Sequence, residues 1–344
     1  MAGSVARRVL STLDPELAHD VAVVGLRVVG PALRDHTVED HGMLSQELFG
    51  RTFYNPVGLA AGFDKNADAV VAWEKLGLGF AEVGTVTPRP QYGNPKPRIA
   101  RFPDQGALQN WLGFNNKGSD AAFANLSGYP YGIPIGVSVG RNKTTSNENA
   151  IDDYVSAAAT VQSRCDYIAG NISSPNTAGP RDHQNEEFIE TLLKRLRGVT
   201  PKPILIKLSP DLNTEQAVQL ARVAVEAGAA GIIATNTTVD YSLLRGAKGQ
   251  GGVSGRPLKQ KSLEMTKALG GALPEGTVLI SVGGIESARD AYERLRAGAS
   301  LVQAYTGFVY HGFELAGEIN SGLTKLLRRN GFRDIQEAIG YDVA

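Results

Sequence analysis

Residues 277–309, TVLISVGGIESARDAYERLRAGASLVQAYTGFV, contain one whole structural repeat. The run TVLISVGGI is rich in β-branched and small apolar residues, as a strand buried on both faces requires. ARDAYERLRAG then carries helical periodicity and stops at a glycine, and LVQAYTGFV opens the next buried run. Apolar strand, helix, apolar strand is the pattern of a βα unit in a parallel sheet.

Working outward from this stretch, the same pattern extends back to residue 55. Six earlier runs precede the two above: NPVGLAAGF from Asn55, GFAEVGTVT from Gly79, PIGVSVGR from Pro134, CDYIAGNIS from Cys165, PILIKLSP from Pro203 and AGIIATNTT from Ala230. Helical stretches such as DDYVSAAATVQSR, EEFIETLLKRLRG and TEQAVQLARVAVEAG separate them. Eight consecutive βα units predict an α/β protein with a closed (β/α)8 TIM barrel, since open doubly wound sheets usually have fewer strands. The length of 344 residues accommodates one barrel and an appendage. The appendage is expected over residues 1–45, where Asp14 and Pro15 make a helix start and Leu17, Val21, Val24 and Val28 recur on one face. Residues 46–344 are assigned to the barrel domain. Within it, residues 88–116 form a proline-rich insertion after the second strand, and long insertions of this kind tend to be functional loops.

Composition narrows the function. Hydrophobic residues make up 42% and charged residues 20%, the mix of a globular enzyme. Thirty-five basic residues balance thirty-five acidic ones, so no global field attracts nucleic acid. The single cysteine, Cys165, excludes an internal disulfide, and five scattered histidines show no metal-ligand spacing. No metal is expected. No run reaches the roughly 20 apolar residues of a membrane span, and no leader-like apolar core opens the chain. A cytosolic or membrane-surface location is therefore expected.

Barrel active sites lie at the C-terminal ends of the strands. Here every such end carries glycine, an amide, a hydroxyl or a lysine. Lys207 sits inside PILIKLSP, where an ammonium is costly unless it meets an anion or a polar cofactor, or snorkels out of the strand end. Lys65, in AAGFDKN, is either a strand-end functional lysine or a solvated loop residue. Glycines in SVGGI and YTG suit a phosphate cradle of backbone N–H groups, with plain tight turns as the alternative. Asn110, Asn171, Asn176 and Asn236 are turn formers taken singly. Aimed at one mouth, they suit a flat ligand with several carbonyls and N–H groups.

Taken together and in order, NPVGLAAGFDKN, EVGTVTPRPQYGNPKPR, NWLGFNN, GNISSPNT, IKLSP, ATNTT, GGVSG, SVGGI and AYTG resemble the dihydroorotate dehydrogenase family over nearly the whole chain. LDPELAH, residues 13–19, resembles the N-terminal extension of its membrane-associated, quinone-reducing class 2 members. The resemblance implies FMN in the barrel mouth and oxidation of dihydroorotate to orotate in pyrimidine (UMP) biosynthesis. It assigns FMN binding to Ala61, Gly62, Lys65, Thr85, Ser138, Asn171, Lys207, Thr235, Gly255, Gly284, Tyr305 and Thr306. Substrate binding falls to Lys65, the segment Asn110, Trp111, Leu112, Gly113 and Phe114, and to Asn171, Asn176, Asn236 and Thr237. Ser174 takes the place of the catalytic base, where members that use soluble acceptors have cysteine. That serine and the N-terminal helices imply a membrane quinone as final acceptor, with His19 and Arg101 at its head group. The expected location is peripheral, on the cytoplasmic side of the cell membrane, and the expected state is a monomer.

Two positions depart from the family pattern. Trp111 stands in NWLGF where arginine is common, and Ser138 stands where an asparagine contacting FMN is often found. Three other readings remain at this level: an aldolase or isomerase using Lys207 as a Schiff-base lysine, a soluble class 1 dehydrogenase, and a barrel whose N-terminal helices only dock a partner.

Overall fold

The computed structural model describes residues 10–33, 41–175 and 184–343. Eight parallel strands close a barrel: β1 (Val57–Leu59), β2 (Phe80–Val86), β3 (Ile135–Val139), β4 (Tyr167–Asn171), β5 (Ile204–Leu208), β6 (Gly231–Ala234), β7 (Val278–Val282) and β8 (Leu301–Ala304). Each falls within one of the eight runs read from the sequence. Neighbours in sequence are neighbours in space, and the ring closes where Gln303 of β8 pairs with Gly58 of β1. Nearly every strand residue is buried, because helices cover the outside and side chains fill the inside.

The N-terminal end of the barrel is plugged. A hairpin of Gln46–Leu48 and Arg51–Phe53 brings the Phe53 ring to 5.5 Å from that of Phe80, over Tyr167, Leu205, Val278 and Leu301. Room for these aromatics comes from small neighbours: a Cβ on Gly136 would stand 2.0 Å from the Tyr167 ring. With that end filled by apolar side chains, only the C-terminal end is left for chemistry.

The insertion after β2 is not the loop expected from its prolines. Ile99–Phe102 and Ala107–Asn110 form a hairpin that continues, antiparallel, into Gly252–Gly255 from the segment after β6. Gly106, with φ 57°, makes the turn. The third strand lies about 140 residues away in sequence, so no local signal announces the pairing.

The N-terminal helix spans Pro15–Val29, and the Asp14 side chain accepts hydrogen bonds from the N–H groups of Glu16 and Leu17. Its buried side presents Glu16, Ala18, Val23 and Leu26 to the barrel domain. There Arg98, itself buried, donates to both Glu16 carboxylate oxygens at 3.0 and 2.6 Å. The opposite side is unusual: Leu17, Val21, Val24 and Val28 are 50%, 47%, 60% and 73% exposed. Among the described residues no helix is long and apolar enough to cross a membrane.

Candidate active site

The C-terminal mouth of the barrel holds a cavity of about 1020 Å³, its open entrance included. Strand ends build it because each buried strand leaves its last residues facing the mouth, where the following turn is free to be polar. Ala61, Gly62 and Lys65 follow β1 into the wall; Thr85 ends β2; Asn171 and Ser174 come from β4; Lys207 from β5; Thr235, Asn236 and Thr237 follow β6. Gly284 follows β7, Tyr305 and Thr306 follow β8, and Gly255 with Asn110, Leu112, Gly113 and Phe114 arrive from the added sheet and the loop beyond it.

A chain of hydrogen bonds fixes the floor. Asn171 Nδ2 donates to Thr85 Oγ1 at 2.8 Å, Asn236 Nδ2 donates to Asn171 Oδ1 at 3.2 Å and to Ser173 Oγ at 3.1 Å, and Thr237 N–H donates to Asn236 Oδ1 at 2.8 Å. The two amides are thereby locked in rotation, each retaining polar capacity toward the cavity. Two of the four amides singled out in the sequence are thus joined in one hydrogen-bonded chain at the mouth.

Below the mouth lies a polar layer that the strand pattern concealed. Lys207 Nζ stands 3.6 Å from Glu82 Oε1, and Glu82 Oε2 accepts from Gln303 Nε2 at 3.0 Å and Tyr167 OH at 3.3 Å. All four side chains are buried. Glu82 interrupts the apolar run GFAEVGTVT, and that interruption was the available signal. Burial, followed by the Glu82 charge, pushes the Tyr167 phenol well above its ordinary value.

Lys65 sits at the other side of the cavity. Burial draws its ammonium down to about 8, against the opposing pull of Asp20, Glu16 and Asp64. His19 from the N-terminal helix reaches it, with Nε2 3.5 Å from Lys65 Nζ and its ring edge-on to Phe63 at 5.0 Å. Burial and then the Lys65 charge hold this imidazole well below 6.5, so it is neutral at pH 7.

Several expected residues stand elsewhere. Ser138 is fully buried behind Thr85, with its Oγ 2.9 Å from Thr85 Oγ1, and does not line the cavity. Trp111 is also absent from the lining; its N–H donates to the Arg98 carbonyl and its own carbonyl accepts from Asn94 Nδ2, which turns the segment so that Leu112 and Phe114 face inward instead. Arg101, expected at the quinone head group rather than in this cavity, donates from its guanidinium to the carbonyls of Leu10, Ser11 and Leu13 ahead of the N-terminal helix. Asn176 falls outside the described residues. Gln303, Ser254, Leu258 and Ile285 line the wall without having been singled out, and Gly283 lines it as one of the SVGGI glycines. Cys165 is buried, away from the cavity, and burial raises its thiol to about 12.

Fold and site together define a barrel enzyme whose mouth pairs a glycine rim suited to phosphate with a buried and a half-buried lysine and amides suited to a flat polar ring. Neither cysteine nor histidine lines its cavity among the described residues. Comparison with known proteins then makes the assignment particular. The family model described as dihydroorotate dehydrogenase matches residues 43–327, and the chain belongs to that family. A protein named dihydroorotate dehydrogenase (quinone) from a Nitratiruptor species is 50% identical over 98% of each chain. Its namesake from a Sulfurovum species is 49% identical over 98% of this chain and 97% of its own. A crystal structure of ligand-free DHODH from Eimeria tenella superposes with a TM-score of 0.89 at 37% identity, covering 96% of this chain and 100% of that one.

Proposed function

We propose that this protein is a quinone-dependent dihydroorotate dehydrogenase, oxidising dihydroorotate to orotate in pyrimidine biosynthesis with FMN as hydride acceptor. The observation that carries the reading is the family match over nearly the full chain, joined to a serine rather than a cysteine at the cavity wall.

The residues present fit a flavin. Gln303 lines the cavity with its Oε1 buried and lacking a hydrogen-bond partner, an acceptor that a ring N–H satisfies. Lys207 brings a buried positive charge to the same wall, and Gly255, Gly283 and Gly284 form a rim without side chains. In this reading Ala61, Gly62, Lys65, Thr85, Asn171, Lys207, Thr235, Gly255, Gly284, Tyr305 and Thr306 hold FMN, and Ser138 acts on it only through Thr85. FMN supplies the two-electron acceptor.

The chain's own work is proton removal and charge stabilisation. Ser174 Oγ takes the proton from one substrate carbon as its own hydroxyl proton passes outward to a water near Phe114, while the hydride leaves the neighbouring carbon. Free serine is a very weak base at neutral pH. Charge that develops on the substrate carbonyl is therefore met by Lys65 and by the amide donors of Asn110 and Asn171, which lowers the demand on Ser174. Phe114 and Leu112 keep bulk water off this face.

An anaerobic visible spectrum tests the whole reading. Purified protein is expected to show a flavin spectrum that bleaches on adding dihydroorotate and returns on adding a quinone analogue. Protein without flavin, or with flavin that dihydroorotate leaves unchanged, overturns it.

Lys65 makes the reading pH-dependent. Its charged form prevails below about 8 and is lost as pH rises through that value. Orotate is an anion, so its dissociation constant is expected to rise above pH 8 by up to about tenfold per pH unit, measured by flavin absorbance titration. Lys65→Met flattens this profile; an unchanged profile in that variant would exclude Lys65 as its source.

The uncovered apolar stripe Leu17, Val21, Val24 and Val28 suits a helix lying in the plane of a membrane surface, with His19 and Arg101 toward an entering quinone head group. Burying a Leu or Val side chain contributes about 1.5–3 kcal/mol. The double change Leu17→Ser, Val24→Ser is therefore expected to weaken vesicle binding by at least about tenfold, with dihydroorotate-driven bleaching unchanged. Sedimentation with phospholipid vesicles reads the first and stopped-flow absorbance the second.

A further inference from the structure

Arg294 lies on the helix Ala288–Arg296 and is 1% exposed, yet it has no carboxylate at salt-bridge distance among the described residues. Asp290 is near enough to be felt, but its Oδ1 pairs with Lys259 Nζ and its Oδ2 accepts the Glu286 N–H at 3.1 Å. The guanidinium spends its donors on neutral groups instead. Nη1 meets Ser262 Oγ at 2.7 Å, Ser281 Oγ at 3.2 Å and Thr266 Oγ1 at 3.4 Å; Nη2 donates to the Lys259 carbonyl at 2.7 Å and the Gly283 carbonyl at 2.9 Å. A buried cation held by hydroxyls and carbonyls alone is costly in isolation.

Those two carbonyls identify what it serves. Gly283, Gly284 and Leu258 line the cavity. Gly284 has φ +71°, and a Cβ there would lie 2.6 Å from Lys259 Cα, so the two backbone segments touch. One planar guanidinium group bridges both from behind. The Gly283 carbonyl shares its peptide unit with the Gly284 N–H; donation from a cation to that carbonyl polarises the unit and strengthens the N–H as a donor. The positive charge also stands behind the glycine rim in a low-dielectric interior, where its attraction for an anion is poorly screened.

We infer that Arg294 is a positioning residue for the phosphate of the bound flavin, joining the segments at 258–259 and 283–284 and biasing them toward a dianion. This rests on the FMN reading above. Arg294 itself does not line the cavity and acts through the Gly283–Gly284 peptide.

The full-length protein, stripped of flavin, is titrated with FMN and with riboflavin, which lacks the phosphate. Wild-type protein is expected to prefer FMN. Arg294→Met is expected to lose at least about tenfold of that preference, as for a charge-assisted hydrogen bond, with riboflavin affinity within about twofold of wild type. Arg294→Lys, which keeps the charge but not the fork, recovers part of the preference, and it serves as the sole test if Arg294→Met does not fold. Equal weakening of both flavins, or an unchanged preference in Arg294→Lys, overturns the inference and marks Arg294 as structural. Wild-type protein that binds neither flavin overturns the FMN reading, and the inference with it.

Discussion

Ser174→Ala slows dihydroorotate oxidation by about two to four orders of magnitude, the usual contribution of a positioned general base, with FMN affinity nearly unchanged. Ser174 is 4% exposed at the cavity wall, three residues beyond the last residue of β4. Alanine removes the hydroxyl proposed to take the proton while leaving Asn171, Thr85 and Asn236 joined by the same hydrogen bonds. The loss is about 3–5 kcal/mol of transition-state stabilisation. Stopped-flow bleaching of the flavin under anaerobic conditions measures it directly. Reoxidation of the reduced flavin by quinone needs no such base and should keep its wild-type rate. A variant that bleaches within a few-fold of wild type would remove Ser174 from the proposed role. If both half-reactions slow together, the change has disturbed the site as a whole.

Lys207→Met is expected to destabilise the barrel interior strongly. It leaves Glu82, fully buried, with hydrogen bonds from Gln303 and Tyr167 but without its counter-charge 3.6 Å away. Removing one member of a buried ion pair costs about 3–5 kcal/mol, because the remaining charge stays desolvated. The double change Glu82→Gln, Lys207→Met removes the stranded charge and is expected to recover most of that loss, a coupling that a double-mutant cycle reports. Urea unfolding of flavin-stripped protein is the right measurement, since bound cofactor would add its own stabilisation to the wild type alone. Additive single and double changes would show that Glu82 and Lys207 do not act as a pair.

The two residues also show where a sequence reading stops. Lys207 was legible as an ammonium in need of company, because it interrupts a doubly buried strand. Its company was not, since Glu82 lies 125 positions earlier on β2. The pair meets only because the barrel closes. Arg294 had the same fate: within ARDAYERLRAG it reads as one more charge on an amphipathic helix, and only packing shows that it faces inward. Trp111 and Ser138 belong to the cavity by motif position yet do not line it, because motif order does not say which of two adjacent side chains turns into the cavity.

By itself the sequence determined the eight buried strands, the helices between them, the capped start of the N-terminal helix at Asp14 and the family. Each of these rests on periodicity, capping or motif order, which are properties of neighbouring residues. Tertiary structure alone decided the pairing of Ala107–Asn110 with Gly252–Gly255, the layer of Glu82, Lys207 and Gln303 beneath the mouth, the reach of His19 to Lys65, and the bridge of Arg294 behind the glycine rim. All of these join residues far apart in the chain. Their partners are selected by which side chains the closed barrel brings within a few ångströms and by the cost of leaving a buried charge or polar group unmatched.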